Sequence, residues 1–338
     1  MDLNFTGQVT RVVAVEEVSQ VGQARREALA LAEHAGFDEM DAGRVALAAT
    51  ELATNVIKHG RGGRMYLSLV CGRSGRGVEL CTLDAGPGFS LSECLPDGVS
   101  TGGTQGLGLG AIRRQATVLD AWSDARGAVI VARIYPSRSA PDIDLAYGAL
   151  RIPMRHEVAC GDGWHLRADG HNTVVTLIDG LGHGLPAADA AQAGTAAMAS
   201  ASGFDAATLI GAMHAGMSGS RGGAAAVACA GPGAQNVQFA GIGNIAASLC
   251  EPTGSRGMAS HPGIVGVQFR KAQPFHFHTP AGTLLVMHSD GLQARWSLRD
   301  YPGLVHRHPA LIVAVLQRDF DRGRDDVGIV ALRLGDIH

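Results

Sequence analysis

The chain has 338 residues, 46% of them hydrophobic, with 28 lysines and arginines against 31 aspartates and glutamates and a net charge of −3. That length favours about two domains, each large enough for its own core. The near balance of charge holds in both halves, so neither nucleic acid nor an anionic membrane is expected as the principal partner.

The N-terminus, Met1-Asp2-Leu3-Asn4-Phe5-Thr6-Gly7, lacks the basic and then apolar pattern of a leader, and no apolar run approaches membrane-spanning length. Cys71, Cys81, Cys94, Cys160, Cys229 and Cys250 include no C-x-x-C pair, so they are expected to be buried or incidental thiols in a reducing compartment. A soluble cytoplasmic protein is the expectation.

Residues 9–15 suit a first strand, and 19–35 a helix with Val21, Ala24, Ala28, Leu31 and Ala32 on one face. Residues 38–59 predict a second helix, half-buried, with Val45, Ala48, Ala49, Leu52, Ala53, Val56 and Ile57 at helical spacing. On it Glu51 and Asn55 stand four apart, with Lys58 and His59 a further turn on, so the polar groups share one face. Gly60, Gly62 and Gly63 end the helix.

Strands follow at 65–70 and 78–83, the second running into Asp84 and the tight turn Ala85-Gly86-Pro87-Gly88. Residues 91–105 are rich in Gly, Ser and Thr, which suits a mobile cover over a nucleotide. Gly106-Leu107-Gly108-Leu109-Gly110 then opens a helix, and glycines there let backbone amides approach a phosphate at the helix N-terminus. A dinucleotide fold needs its glycine run directly after a strand; here it follows a loop. A strand at 128–134 closes this half, and Pro136-Ser137-Arg138-Ser139-Ala140-Pro141 reads as a linker too short to let two domains move far apart.

The second half predicts strands at 146–153, 157–164 and 173–178, helices at 186–200 and 206–217, strands at 224–230, 236–240, 245–250, 275–278 and 283–288, a helix at 309–320 and a closing strand at 327–334. Acids fall at strand ends: Asp162, Asp179, Asp290, and Asp325 or Asp326. Carboxylates about 4 Å apart repel by roughly 4 kcal/mol per pair at an effective dielectric near 20. A fold that gathers them needs cations. Oxygen ligands with open water positions suit Mg²⁺ or Mn²⁺ better than zinc. Two such ions clamp a phosphoryl group and activate a water, so phosphoester hydrolysis needs no side-chain nucleophile.

The order Glu51-Leu52-Ala53-Thr54-Asn55, Asp84-Ala85-Gly86-Pro87-Gly88 and Ser100-Thr101-Gly102-Gly103-Thr104-Gln105-Gly106-Leu107-Gly108-Leu109-Gly110 resembles the GHKL ATPases, the fold of histidine kinases, gyrase and Hsp90, and among them the RsbT-like switch serine kinases. The resemblance spans about residues 1–136 and implies a Bergerat-type α/β sandwich. It also implies that Glu51 is the general base, that Asn55 holds the Mg²⁺ of ATP and that Asp84 bonds the adenine amino group. Lys58, Gly86, Gly88, Thr104, Gly106, Gly108 and Gly110 would complete nucleotide binding.

Gly161-Asp162, Asp179-Gly180-Leu181-Gly182-His183-Gly184, Ser289-Asp290-Gly291 and Asp325-Asp326 resemble the PPM-type serine/threonine phosphatases of the SpoIIE/RsbX branch, over about residues 143–335. That resemblance implies a β-sandwich flanked by helices and two Mn²⁺ or Mg²⁺ ions held by Asp162, Asp179, the Gly180 carbonyl, Asp290, Asp325 and Asp326. Gly328 departs from the Thr common near its position, and His183 is expected as a turn or surface residue.

Together these imply an α+β chain: a kinase domain at 1–136, a linker at 137–142 and a phosphatase domain at 143–338. The expected function is a partner-switching regulator that phosphorylates and dephosphorylates serine or threonine on STAS-domain proteins, such as an anti-sigma antagonist or a stressosome-like scaffold. A sigma factor or another output protein would lie downstream. The alternative is a nucleotide-dependent protein that sequesters a sigma factor or STAS partner, with an active phosphatase and little kinase activity.

Overall fold

The computed structural model describes residues 3–89, 108–231 and 235–335. The chain divides into two compact units, Thr10–Leu145 and Met1–Val9 together with Ala146–His338. Its first strand, β1 (Leu3–Thr6), therefore belongs to the second unit.

The Thr10–Leu145 unit contains β2 (Arg11–Val15), α1 (Val18–His34), α2 (Glu39–His59), β3 (Gly63–Gly72), β4 (Gly75–Asp84), α3 (Gly108–Gln115), β5 (Val118–Asp124) and β6 (Gly127–Ile134). The strands form one antiparallel sheet in the order β2-β3-β4-β6-β5. Alternate residues Met65, Leu67 and Leu69 of β3, with Val78 and Leu80 of β4, pack against the buried face of α2: Val45, Ala48, Ala49, Leu52 and Val56. Small alanines let the helix lie close to the sheet, and the polar face is left at the edge. The helix starts where the Asp38 carboxylate accepts the Asp41 amide at 2.8 Å, capping an otherwise unpaired donor.

Two differences from the sequence reading concern boundaries. The edge strand β5 was not expected, because Asp120, Ser123 and Asp124 interrupt its apolar pattern and its residues are mostly only half-buried. Residues 137–142, read as a short linker, are bonded to this unit. Asp41 accepts the Ser137 amide through both oxygens at 3.0 Å, and Arg73 donates from Nε to the Asp142 carbonyl at 3.0 Å. Deeper in, the fully buried Arg133 guanidinium pairs with Glu79 at 2.7 Å and Asp144 at 3.0 Å, while the Tyr135 hydroxyl donates to Asp144 at 2.8 Å. These bonds carry the boundary to Leu145.

The second unit continues with β7 (Tyr147–Ile152), β8 (Asp162–Ala168), β9 (Thr173–Gly180), α4 (Leu185–Ser200), α5 (Ala206–Gly216), β10 (Gly223–Ala230) and β11 (Asn236–Ile242). There follow β12 (Ala246–Glu251), β13 (Gly254–Met258), β14 (Gly263–Ile264), β15 (Gln268–Phe269), β16 (Phe275–His278), β17 (Leu284–His288), α6 (Pro309–Phe320) and β18 (Val327–Arg333). One six-stranded sheet has the order β1-β8-β9-β10-β11-β16, and a five-stranded sheet the order β13-β12-β17-β18-β7. The sheets face each other where β18 and β7 meet β8 and β9. Helices α4 and α5 cover the first sheet and α6 the second, giving a sandwich with a helical layer on each side.

Strand β1 was read as part of the kinase half, yet it pairs antiparallel with β8, Leu3 opposite Ala168 and Thr6 opposite His165. Asn4 holds it there, donating to the Ala199 carbonyl at 2.8 Å and bonding the His165 ring at 2.6 Å, while Phe5 packs on Trp164. Pairing over so long a separation leaves no local signal in the sequence. Among the described residues, no helix is long and apolar enough to cross a membrane. Cys71, Cys81, Cys160, Cys229 and Cys250 are buried free thiols; Cys94 lies outside the described residues.

Candidate functional site

Each unit gathers one set of polar groups. In the first, Glu51 and Asn55 sit half-buried on α2, one turn apart. The N-terminus of α3 is pressed against them: a Cβ on Gly108 would lie 3.3 Å from both the Glu51 carboxylate and the Asn55 amide oxygen. Any side chain there would fill the space before these two groups. Gly110, also on α3, is buried. Thr104 and Gly106 lie outside the described residues.

Asp84 ends β4 beside the C-terminal end of α2. Its Oδ1 accepts the Gly86 amide at 2.9 Å and the Ala128 amide at 3.3 Å, which fixes the carboxylate in place. Glycines surround it for lack of room, since a Cβ on Gly60 would sit 2.5 Å from the Asp84 Cβ and one on Gly127 1.9 Å from the Asp84 carbonyl oxygen. Gly88 adopts the left-handed φ of 79°, and the Ser123 hydroxyl beside it accepts the Phe89 amide at 2.8 Å. Lys58 is exposed on the last turn of α2. From Glu51 to Gly60 the helix rises about 13 Å, at about 1.5 Å per residue. Asp84 and the Glu51, Asn55 and Gly108 group therefore stand at the two ends of an elongated site.

In the second unit, Asp162 opens β8 directly opposite Asp179 near the end of β9, so both carboxylates project from the same face of the sheet. The sequence reading had placed Asp162 at a strand end; it is a strand start. Burial, then the Asp290, Asp325 and Asp326 charges, push the Asp179 carboxyl up to about 7. Burial and Asp179 hold the Asp162 carboxyl well above its usual range, against a lowering hydrogen bond from Ser289. The Asp290 carboxyl is raised by burial and Asp325, with Arg322 and an Asn244 amide at 2.8 Å acting in the other direction. The fold therefore brings these acids into one another's field.

Their individual settings differ. Asp326 is committed to the backbone, accepting the Met154 amide through Oδ1 and the Gly161 amide through Oδ2, both at 2.7 Å. Asp162 accepts the Ser289 hydroxyl at 2.7 Å on Oδ2, while its Oδ1 is buried with no hydrogen-bond partner. A Cβ on Gly180 would meet the Ala187 carbonyl oxygen at 2.2 Å, so the residue after Asp179 has to be glycine for α4 to approach. Among the described residues no three His, Cys, Asp or Glu groups already enclose a metal position. The donors nevertheless suit a hard divalent cation: all are oxygens, they repel one another, and Asp162 presents a buried oxygen that nothing else satisfies.

Sequence reasoning quoted Ser289 in its motif without a role, and missed Asn244 and Arg322. Ser289 immediately precedes Asp290, and its N–H donates to the Gly328 carbonyl at 2.9 Å while its Oγ accepts the Gly328 amide at 3.0 Å. Behind it, Trp296 donates to His288 Nε2 at 3.1 Å, so the opposite ring nitrogen, Nδ1, carries the proton and donates to the Ser289 carbonyl at 2.8 Å. Gly328, which departs from the expected Thr, is explained here: a Cβ would lie 2.9 Å from the Asp162 Cβ. His183 is on the surface, as expected, paired with Glu157 at 2.7 Å.

The chain joins a histidine kinase-like ATPase domain to a two-sheet β-sandwich flanked by helices. The family model for the histidine kinase-like ATPase domain matches residues 14–134. Over 92 residues the chain is 32% identical to the serine/threonine-protein kinase RsbT of Bacillus subtilis (strain 168), covering 27% of this chain and 69% of that protein. It belongs, through this domain, to the RsbT family of histidine kinase-like ATPases. Among solved structures, one reported for the bacterial stressosome as a modular system adapted to control secondary messenger signalling is 25% identical, with a TM-score of 0.50, over 55% of this chain and 97% of that one. RsbX in complex with magnesium is 19% identical, with a TM-score of 0.48, over 55% and 93%.

Proposed function

We propose that the chain is a bifunctional partner-switching regulator, phosphorylating serine or threonine on a STAS-domain protein with ATP and removing phosphate from such a protein by metal-dependent hydrolysis. The observation that carries this reading is a carboxylate kept beside the nucleotide-holding amide. Glu51 and Asn55 face the same glycine of α3, in a domain of the RsbT kinase family. A nucleotide-dependent clamp has no use for a base there.

In this reading Asp84 receives the adenine at the C-terminal end of α2, and Asn55, further back along the same helix, receives the magnesium-bearing phosphates with the α3 glycines. Glu51 takes the proton from the attacking hydroxyl. Phosphoryl transfer depends chiefly on positioning and charge stabilisation, which these fixed groups supply. In the second unit Asp162, Asp179, the Gly180 carbonyl, Asp290 and Asp325 would hold divalent cations, and Asp326 would brace the loop before Asp162. Such cations supply Lewis acidity and a water activated near neutral pH. Ser289 engages one Asp162 oxygen, which would leave the other for a cation. The STAS partner is suggested by RsbT kinship and by likeness to a stressosome structure.

The test is to incubate the purified chain with labelled ATP, Mg²⁺ and a STAS-domain protein from the same genome, remove ATP, add Mn²⁺ and follow the label. Transfer to serine or threonine and later release, blocked by Glu51→Ala and Asp290→Ala respectively, is the expected result. Nucleotide-dependent complex formation with no transfer would overturn it.

A further inference from the structure

Large apolar side chains exposed singly are ordinary on a protein surface. In the second unit they are not scattered. Among the described residues from Ala146 onward the exposed ones are Val158, Leu181, Leu185 and Val267, at 89%, 52%, 62% and 56% exposure, and all four lie on segments bordering the carboxylates.

Leu181 and Leu185 flank the Gly182-His183-Gly184 turn that follows Asp179, and the Leu181 amide donates to the Gly222 carbonyl at 2.9 Å. Val267 reaches the same point, its Cγ2 lying 2.8 Å from where a Cβ on Gly222 would be. The pair between Glu157 and His183 ties the Val158 segment to this turn. Arg221 lies against the turn, with Nη1 3.2 Å from the position of a Cβ on Gly182. Neither ion pair nor hydrogen bond engages its guanidinium among the described residues, and it is exposed.

We propose that Leu181, Leu185 and Val267, with Arg221 beside them, form a docking rim for the phosphorylated segment of a protein substrate, one carrying apolar side chains next to its phosphoserine or phosphothreonine. This rests on the phosphatase reading of the carboxylate site and deepens it. Two observations select the occupant. The rim is continuous with the carboxylates through the Asp179 turn, and the Arg221 guanidinium beside it is uncommitted, which suits the dianionic phosphate or an acidic neighbour. A small phosphoester leaves the leucines in water; a peptide with apolar flanks covers them.

The experiment compares two serine-phosphorylated peptides with Mn²⁺ present, one with leucines flanking the phosphoserine and one with serines there, and uses p-nitrophenyl phosphate as reference. The wild-type chain should favour the leucine peptide about tenfold in kcat/KM, mainly through KM. In the L181S/L185S variant, and separately in Val267→Ser, the ratio of leucine-peptide to p-nitrophenyl phosphate kcat/KM should fall about tenfold and the preference between peptides should vanish. Arg221→Ala should raise KM for both peptides. An unchanged ratio in either apolar variant, or no peptide preference in the wild type, overturns the rim. Loss of both activities in parallel leaves that ratio unchanged and also counts against it. A wild-type chain inert even toward p-nitrophenyl phosphate would bring down the phosphatase reading first, and the rim with it.

Discussion

The Ser289 hydroxyl donates to one Asp162 oxygen at 2.7 Å while the other oxygen of that buried carboxylate has no hydrogen-bond partner. Groups that orient a metal ligand typically change affinity by about 10–100-fold when removed. Ser289→Ala should therefore weaken Mn²⁺ binding by about tenfold or more, read by calorimetric titration. Equal affinity would show that Asp162 holds its place without the Ser289 hydroxyl.

The raised Asp179 carboxyl predicts how stability depends on pH without cations. An unfolded aspartate titrates near about 4, and in the folded chain burial and the Asp290, Asp325 and Asp326 charges move this one to about 7. Between those values the folded state binds more protons, so its advantage is full at the acid end and is lost as pH rises through the window. Melting temperature in chelator should fall between about pH 4 and 7, less steeply in Asp179→Asn, and Mn²⁺ should restore it at the upper end. A chelator-treated protein that gains stability over this range would contradict the assignment.

Glu51→Ala should lower phosphotransfer by about 10²–10⁴-fold while ATP still binds, because the carboxylate is asked only to move a proton. Asn55→Ala should lose transfer as well, without a change in melting temperature, since Asn55 is only half-buried at the helix edge. Wild-type transfer by either variant would rule out these roles.

Arg133 is fully buried between Glu79 and Asp144. Glu79→Ala would leave a desolvated cation partly uncompensated, and should cost about 3–5 kcal/mol in chemical denaturation. A loss below 1 kcal/mol, roughly the worth of an exposed pair, would mean that Asp144 and the Leu145 carbonyl suffice.

How much of this the sequence disclosed depends on how local the cause is. Helix α2 is announced by Asp38, a run of small apolar residues at helical spacing and Gly60, all within one stretch. Asp162 and Asp179 were singled out as acids at strand ends, but their direct opposition is a matter of register, which only pairing reveals. The clasp of Arg133 and Tyr135 on Asp144 was hidden because Pro136-Ser137-Arg138-Ser139-Ala140-Pro141 has the composition of a linker. Gly328 looked like a departure from pattern; packing against Asp162 gives it a reason.

Strand β1 has a bearing on how the molecule is made. Asn4 bonds His165 across 161 residues, and the whole ATP-binding unit is encoded between them. At ribosomal speeds of about 5–20 residues per second, β1 waits about ten to thirty seconds for its partner strand to be synthesised. The intervening unit has time to fold before the six-stranded sheet can close. Every residue of the intervening unit is thus available to fold before the six-stranded sheet has its partner strand.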